Sequence, residues 1–422
     1  MLIADTLADH GSPLVPEDAE LLGAAAAREA LRFLARRDGY APTPLHLLPA
    51  LAADLGVASI AVKDEGFRLG LGSFKALGGA YAVVRLVLEE ASRILARPVA
   101  IDELPTPEVR AVAAAMTVAC ATDGNHGRSV AQGAELVGAR AVIFVHAGVS
   151  GERIAAIARF GAEIVRVEGT YDDSVDEAAR VCAERGWFAV SDTSWPGYER
   201  IPGRVMQGYT ALVAEALVQM EQPPTHVFVQ AGVGGVAAAV AGHLAAVLGE
   251  DRPRFVVVEP ARAACFHASA AAGRLVRVAP GEATVMAMLD CYVPSLVAWR
   301  VLSRVADGFM TVDEDDAVAI MNRLARPLGD DPAIVAGESG GVGLAGLVVA
   351  LGDPAACTAL GLGPQSRVFV VNTEGATDPD LYHRLVGLDP ADVARAGLGR
   401  PVQPTRCGQT SSVPRQIISS AT

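Results

Sequence analysis

Lysine is nearly missing from this 422-residue chain: Lys63 and Lys75 leave 33 of the 35 basic residues as arginine. Arginine supplies ordinary surface charge, but its guanidinium stays protonated and cannot do the chemistry of a primary amine. Excess positive charge is missing too. The formal net charge of -13 solvates the surface and disfavours broad contact with nucleic acid, while leaving room for an anion in a local pocket. The six cysteines, Cys120, Cys182, Cys265, Cys291, Cys357 and Cys407, form no CxxC pair. A metal cluster therefore has little support, and a reduced, cytoplasmic protein is the expectation. The opening MLIADTLADHGSPLVPEDAE lacks the basic start and apolar core of a signal peptide. No internal repeat implies a solenoid. A hydrophobic content of 51% argues for a globular core and against disorder.

The apolar run VFVQAGVGGVAAAVAGHLAAVLG at 227–249 has the length of a membrane span. Its glycine cluster fits a strand, a tight turn and a buried helix better, so no membrane contact is expected. Residues 20–37 predict a helix, VASIAVKDEG a short strand, and SFKALGGAYAVVRLVLEEASRILA a helix starting near Ser73, whose hydroxyl could cap it. The segment 91–112, with three prolines, predicts a crossing between lobes. Units of strand, turn and helix follow from MTVACATDGNHG onward and resume at PTHVFVQAGVGG. This alternation predicts an α/β fold with mostly parallel sheets covered by helices on both faces.

Four turns at predicted strand ends carry the chemistry. QAGVGG (230–235) lets successive backbone N–H groups close on an anion at a helix N-terminus, though such glycines also permit tight packing. The spacing is not GxGxxG, so a dinucleotide site is not indicated. In TDGNHG (122–127), Asp123, Asn125 and His126 are poor core filler. GESGGVGLAG (337–346) is a third glycine turn, and NTEGATDP (372–379) places Thr373 and Glu374 at the end of a strand. Together they offer an anion cradle, an amide, carboxylates and a hydroxyl, and no metal ligand set.

What they lack is a reactive amine. Lys75, in LGSFKALGG, starts an apolar helix, a setting expected to depress its pKa and release the amine for a Schiff base. A cofactor with both an aldehyde and a phosphate would use the lysine and the cradle, and pyridoxal 5'-phosphate meets that requirement. Lys63 is the competitor. It follows the alternating ASIAVKDE and reads as a strand-end residue charge-paired with Asp64 or Glu65, so local context prefers Lys75.

These segments resemble the fold-type II pyridoxal phosphate enzymes, the threonine dehydratase and tryptophan synthase beta-chain group. The closer resemblance is to the diaminopropionate ammonia-lyases. It is carried by KDEGFRLGLGSFKALGG (63–79), ATDGNHGRSVA (121–131), SDTSWPGYERIPGRVMQGY (191–209), VFVQAGVGG (227–235), GESGGVGLAG and NTEGATDP, in the expected order over most of the chain. The resemblance implies two three-layer α/β/α lobes: a large domain from 1–92 and 222–400, a small domain from 93–221, and a tail at 401–422. It implies α,β-elimination of 2,3-diaminopropionate to pyruvate and two ammonia, in a homodimer acting on a small amino acid. By the same resemblance Lys75 is the Schiff-base lysine and Asp123 the second catalytic group. Asn125 would partner the cofactor ring oxygen, and Gly232, Val233, Gly234 and Gly235 its phosphate. Thr373 would neighbour the pyridine nitrogen. Ser73, Asp192, Tyr198 and Ser339 are substrate-side candidates.

GLGSFK departs from the pattern, which has asparagine and alanine before phenylalanine and lysine, and this bears on substrate more than on cofactor. A serine or threonine dehydratase, or another beta-eliminase, uses the same cofactor with a different leaving group. A nonenzymatic sensor would bind without turnover. No separate regulatory domain is evident after residue 350. Cys265 and Cys291 bracket an excursion in a region where the resembling lyases carry cysteines, and either a disulfide or two buried thiols fits them.

Overall fold

The computed structural model describes residues 1–4, 7–122, 124–169 and 171–398. Its eleven described strands are β1 (Leu2–Ala4), β2 (Leu45–Leu47), β3 (Ser59–Asp64), β4 (Thr117–Ala121), β5 (Arg140–His146), β6 (Glu163–Val167), β7 (Phe188–Ala189), β8 (His226–Gln230), β9 (Arg254–Pro260), β10 (Gly308–Val312) and β11 (Arg367–Asn372). They form two sheets, one ordered β1-β10-β9-β8-β11-β3-β2 and one ordered β6-β5-β4-β7. Parallel pairing runs from β10 through β9, β8 and β11 to β3. The four-stranded sheet is parallel throughout. The short strands β1 and β2 pair antiparallel at the two edges.

The central strands are parallel because apolar side chains occupy both of their faces. His226–Gln230 is buried at every residue, as is β9 beyond its first. A strand buried on both sides needs a helical cover on each, and the crossover helices supply it. The Gly235–Leu248 helix is hydrophobic around most of its circumference and buried from Gly235 to Leu244. It packs on the Arg200–Gln219 helix, which in turn packs on the Lys75–Leu95 helix. Glycines permit the close approaches. A Cβ at Gly78 would lie 2.4 Å from the Tyr209 ring, and one at Gly208 would lie 2.6 Å from the Leu77 carbonyl oxygen. The Lys75–Leu95 helix also packs on the Asn125–Val137 helix beside β4, so one apolar core runs from the large sheet to the small one.

Several local expectations change in the folded chain. The helix expected over 20–37 is two helices, Pro16–Leu22 and Ala24–Ala35, broken at Gly23. The proline-rich crossing contains a helix of its own, Pro107–Ala114, with Pro107 in the first turn, where its missing N–H costs nothing. The helix expected from Ser73 starts at Lys75, with Phe74 as N-cap and no side-chain cap. Ser73 is instead drawn into a bridge with Glu374, and Phe74 N donates to Thr373 O at 3.0 Å. The apolar run at 227–249 is β8, a glycine turn and a buried helix. Among the described residues no single helix is long and apolar enough to cross a membrane.

Candidate active site

Parallel α/β sheets present their loops at the carboxyl ends of the strands, where ligands bind. Here the loops after β3, β4, β7, β8 and β11 meet between the two sheets. Their junction is hydrogen-bonded. Gly375 N donates to Gly72 O at 3.0 Å, Gly337 N to Glu374 O at 3.1 Å, and Thr373 N to Gly340 O at 3.1 Å. The four turns that converge in chemistry along the sequence thus converge in space.

Gln230, the last residue of β8, fastens the junction. Its Nε2 lies within donating distance of the carbonyls of Ser339 (3.1 Å), Gly340 (2.6 Å) and Val371 (3.2 Å), and of Thr373 Oγ1 (2.8 Å). Its Oε1 accepts from Gly343 N at 3.2 Å. Sequence reasoning missed this residue because a glutamine beside a glycine turn looks like surface. The available signal was a polar residue closing an otherwise apolar strand, THVFVQ. Thr373 Oγ1, in accepting from Gln230, keeps its own hydrogen for another acceptor.

The amine arrives from the other side. Lys75 opens its helix, and its Nζ pairs with Asp192 Oδ2. Burial alone would lower this lysine's pKa, but the Asp192 carboxylate opposes burial and prevails, and the amine is held above the usual lysine range. The expected depression is therefore corrected: an apolar helix base gives it only without a carboxylate partner. Burial likewise works against the charge on Asp192. Lys75 and then His126 outweigh it and hold the carboxyl below the usual aspartate range. Tyr209, buried on the Arg200–Gln219 helix, is near enough to act on the charge of Lys75. Its hydroxyl has no hydrogen-bond partner among the described residues. It too was missed, although its MQGY segment was recognised.

The remaining candidates divide between ligand-facing and bracing positions. Asn125 opens the Asn125–Val137 helix, and its Nδ2 donates to Glu374 Oε2 at 3.1 Å. His126 is buried, bonding through Nε2 to Val190 O at 2.8 Å, and burial pushes its pKa down. Tyr198 braces its own segment: its hydroxyl donates to Ala189 O at 2.7 Å and accepts from Ser191 N at 3.0 Å, on either side of Val190 and one residue from Asp192. Ser339 Oγ accepts from Met288 N at 3.2 Å. Asp123 lies outside the described residues. Cys265 is a buried thiol directed at Gly232 O, 3.8 Å away. A Cβ placed on Gly232 would lie 3.0 Å from Cys291 Sγ. Both cysteines thus sit against the glycine loop.

That loop fits a phosphate. Gly234 is N-cap of the Gly235–Leu248 helix with φ +90°, a conformation only glycine adopts without strain, and it offers no side-chain cap. A Cβ there would lie 2.2 Å from the Phe266 ring. The first N–H groups of a helix have no partner within it, and the helix dipole favours an anion beside them. A primary amine, an amide, a hydroxyl with a hydrogen to give and a bare helix N-terminus are the donor set that an aldehyde-bearing pyridine phosphate requires.

The comparisons with known proteins agree. Residues 36–374 match the family model described as pyridoxal-phosphate dependent enzyme. Diaminopropionate ammonia-lyase of Escherichia coli (strain K12) is 39% identical over 377 residues, covering 88% of this chain and 93% of the relative. That of Salmonella typhimurium (strain LT2) is 37% identical, covering 87% and 93%. The crystal structure of the Escherichia coli enzyme in complex with an aminoacrylate-PLP azomethine reaction intermediate superposes with a TM-score of 0.81, at 37% identity, over 92% of this chain and 97% of that one. The chain belongs to the pyridoxal-phosphate dependent enzyme family.

Proposed function

We propose that this chain is a diaminopropionate ammonia-lyase, converting 2,3-diaminopropionate and water to pyruvate and two molecules of ammonia. The observation that carries the reading is the Lys75–Asp192 pair, set at the junction of the strand-end turns. The likeness to the ammonia-lyases over most of both chains supports the choice of substrate.

Lys75 would hold pyridoxal 5'-phosphate at its aldehyde carbon. Gly232, Val233, Gly234 and Gly235 would hold the phosphate by their N–H groups, Asn125 the ring oxygen and Thr373 the ring nitrogen. When bound, the cofactor supplies a ring system that takes up the electron pair left at the substrate's alpha carbon. Thr373 Oγ1 already accepts from Gln230 and would have its hydrogen free to donate to the ring nitrogen, which would then stay uncharged.

Displaced from the aldehyde carbon by the substrate's own amine, Lys75 Nζ would take the alpha proton of the L form, and Asp192 would stabilise the ammonium that results. The same ammonium returns its proton to the departing beta nitrogen, so the nitrogen leaves as neutral ammonia and no net proton is consumed. For the D form, Asp123, by its place in ATDGNHG, would be the base. Aminoacrylate released to water hydrolyses through its imine tautomer, giving pyruvate and the second ammonia.

A homodimer in the cytoplasm belongs to the same proposal, with light scattering as the check on assembly. The functional test follows ammonia and pyruvate from separate D- and L-diaminopropionate samples. Two ammonia per pyruvate is expected. Faster turnover of serine or threonine would make the chain a dehydratase, and cofactor uptake without any product would make it a sensor.

A further inference from the structure

Glu259 is wholly buried near the end of β9 and has no part in the reaction as described. Its two oxygens accept from the first turn of the Cys265–Ala272 helix. Oε1 accepts from Phe266 N at 2.8 Å and Oε2 from His267 N at 2.6 Å. These are the N–H groups that an N-cap side chain ordinarily satisfies. The N-cap here is Ala264, which offers no side-chain cap. Glu259 closes the helix from a strand end instead.

A buried carboxyl is a costly cap. A serine or asparagine at the N-cap itself would close the same helix at lower cost. What the strand-end carboxyl adds is position, because it ties the helix to β9. In the sheet β9 lies beside β8, and the loop after β8 is the glycine cradle. Ala231 N, at the start of that loop, donates to Val258 O at 2.9 Å, one residue before Glu259. The tethered helix reaches the cradle through its first two side chains. Cys265 Sγ lies 3.8 Å from Gly232 O. The fully buried Phe266 ring fills the space where Gly234 would carry a Cβ, and Ala298 closes on the same spot at 3.1 Å. The backbone N of Phe266 is one of the two atoms that Glu259 engages.

We propose that Glu259 is a positioning residue for the cofactor phosphate: by anchoring Phe266 N and His267 N it seats the Phe266 ring against Gly234, and so fixes where the N–H groups of the cradle point. The inference rests on reading Gly232, Val233, Gly234 and Gly235 as the phosphate site. Burial pushes the Glu259 pKa up to about 8, and the N–H groups of Phe266 and His267 oppose that shift. The positioning does not depend on the outcome. A carboxyl can accept on both oxygens with or without its proton, whereas a carboxamide accepts on one.

The test compares E259Q and E259A with the wild type, each as the folded full chain below its melting temperature. Cofactor affinity is read from the absorbance of the holoenzyme, and the setting of the phosphate from its phosphorus NMR resonance. E259Q frees one N–H group and should bind about threefold to tenfold more weakly, the equivalent of one lost hydrogen bond. E259A frees both and should bind about tenfold to a hundredfold more weakly. In both variants the resonance of the bound phosphate should move. F266A tests the route: E259Q added to F266A should weaken binding no further, because Glu259 acts through that ring. A cap that serves stability alone would lower the melting temperature and leave folded molecules with wild-type affinity and resonance. That result in E259Q overturns the proposal, even where E259A fails to fold. Losses that add in the double variant overturn the route through Phe266. A wild type that takes up no cofactor overturns the functional reading and this inference with it, whereas wild-type binding in the variants overturns the inference alone.

Discussion

The two lysines stand twelve positions apart in sequence, and the fold treats them in opposite ways. Lys63 is sealed. Its Nζ donates to Glu215 Oε2 at 2.7 Å, Thr43 O at 2.8 Å and Gln219 Oε1 at 2.8 Å. Arg68, also fully buried, bonds to both Glu65 and Glu215, so two cations face two anions. Burial pushes Lys63 below the usual lysine range. Lys75 has one carboxylate partner, keeps a fifth of its side chain exposed and is pushed the other way. The difference is one of saturation. Every donor direction of Lys63 is occupied, so it can tie β3 to the Arg200–Gln219 helix and do nothing else. Lys75 has donor capacity left for a ligand.

Exchanging each lysine in turn breaks the comparison most severely. Lys75→Ala should lower elimination by at least about 10³-fold, the loss of a base and of the covalent anchor together, while the fold survives. Lys63→Met should do the reverse: it leaves Glu215 buried with one cation fewer, which costs about 3–5 kcal/mol in denaturant unfolding. Molecules still folded should bind cofactor normally. Loss of the cofactor's absorbance in folded Lys63→Met would break the division of labour.

Gly234→Ala tests the cradle. A side chain at φ +90° and against Phe266 costs on the order of 1–3 kcal/mol locally. Cofactor affinity should therefore fall by one to two orders of magnitude, roughly the equivalent of that cost. Asp192→Asn sharpens the electrostatic contrast. Without the carboxylate, burial becomes the main influence on Lys75, so its amine should titrate at lower pH. Amine labelling of the cofactor-free protein near pH 8, read peptide by peptide to separate Lys75 from the exposed amino group of Met1, follows this directly, because Lys63 is sealed. Lys75 should label faster in the variant than in the wild type.

The smallest expected effect is a pH trend. The folded pKa of Glu374 is raised from the ordinary 4.5 to about 8. Between those values the folded state binds more protons than the unfolded one, so this group's contribution falls as pH rises through the window and levels off above it. Burial is the main cause, and the carboxylate of Glu338, buried on the turn joined to Glu374 through Gly337 N, adds to it; Glu338→Gln removes that repulsion, and its melting temperature relative to wild type should climb across the same window. A constant difference would contradict the part that Glu338 plays in raising Glu374.

What was legible along the chain was local. The strand-turn-helix units, the glycine turns and the exceptional status of Lys75 rest on patterns within about a dozen residues. What failed rests on distant partners. The pKa of Lys75 is set by Asp192, 117 residues away. Of the sequence neighbours read as charge partners of Lys63, Glu65 does act on it, but Asp64 does not, because side chains alternate across a strand. Asp64 therefore faces Asn372 and His46, and Lys63 meets Glu215, 152 residues on. Gln230 and Glu338 acquire meaning only when three turns come together. Ser73 lost its capping role to a bridge with Glu374 from the far end of the chain.

A chain with two lysines permits one decisive measurement: borohydride reduction of the holoenzyme, followed by peptide mapping of the pyridoxyl group. The account predicts label on the peptide containing Lys75 and none on that containing Lys63. Label on Lys63, or a reduced protein carrying no pyridoxyl group, would contradict it.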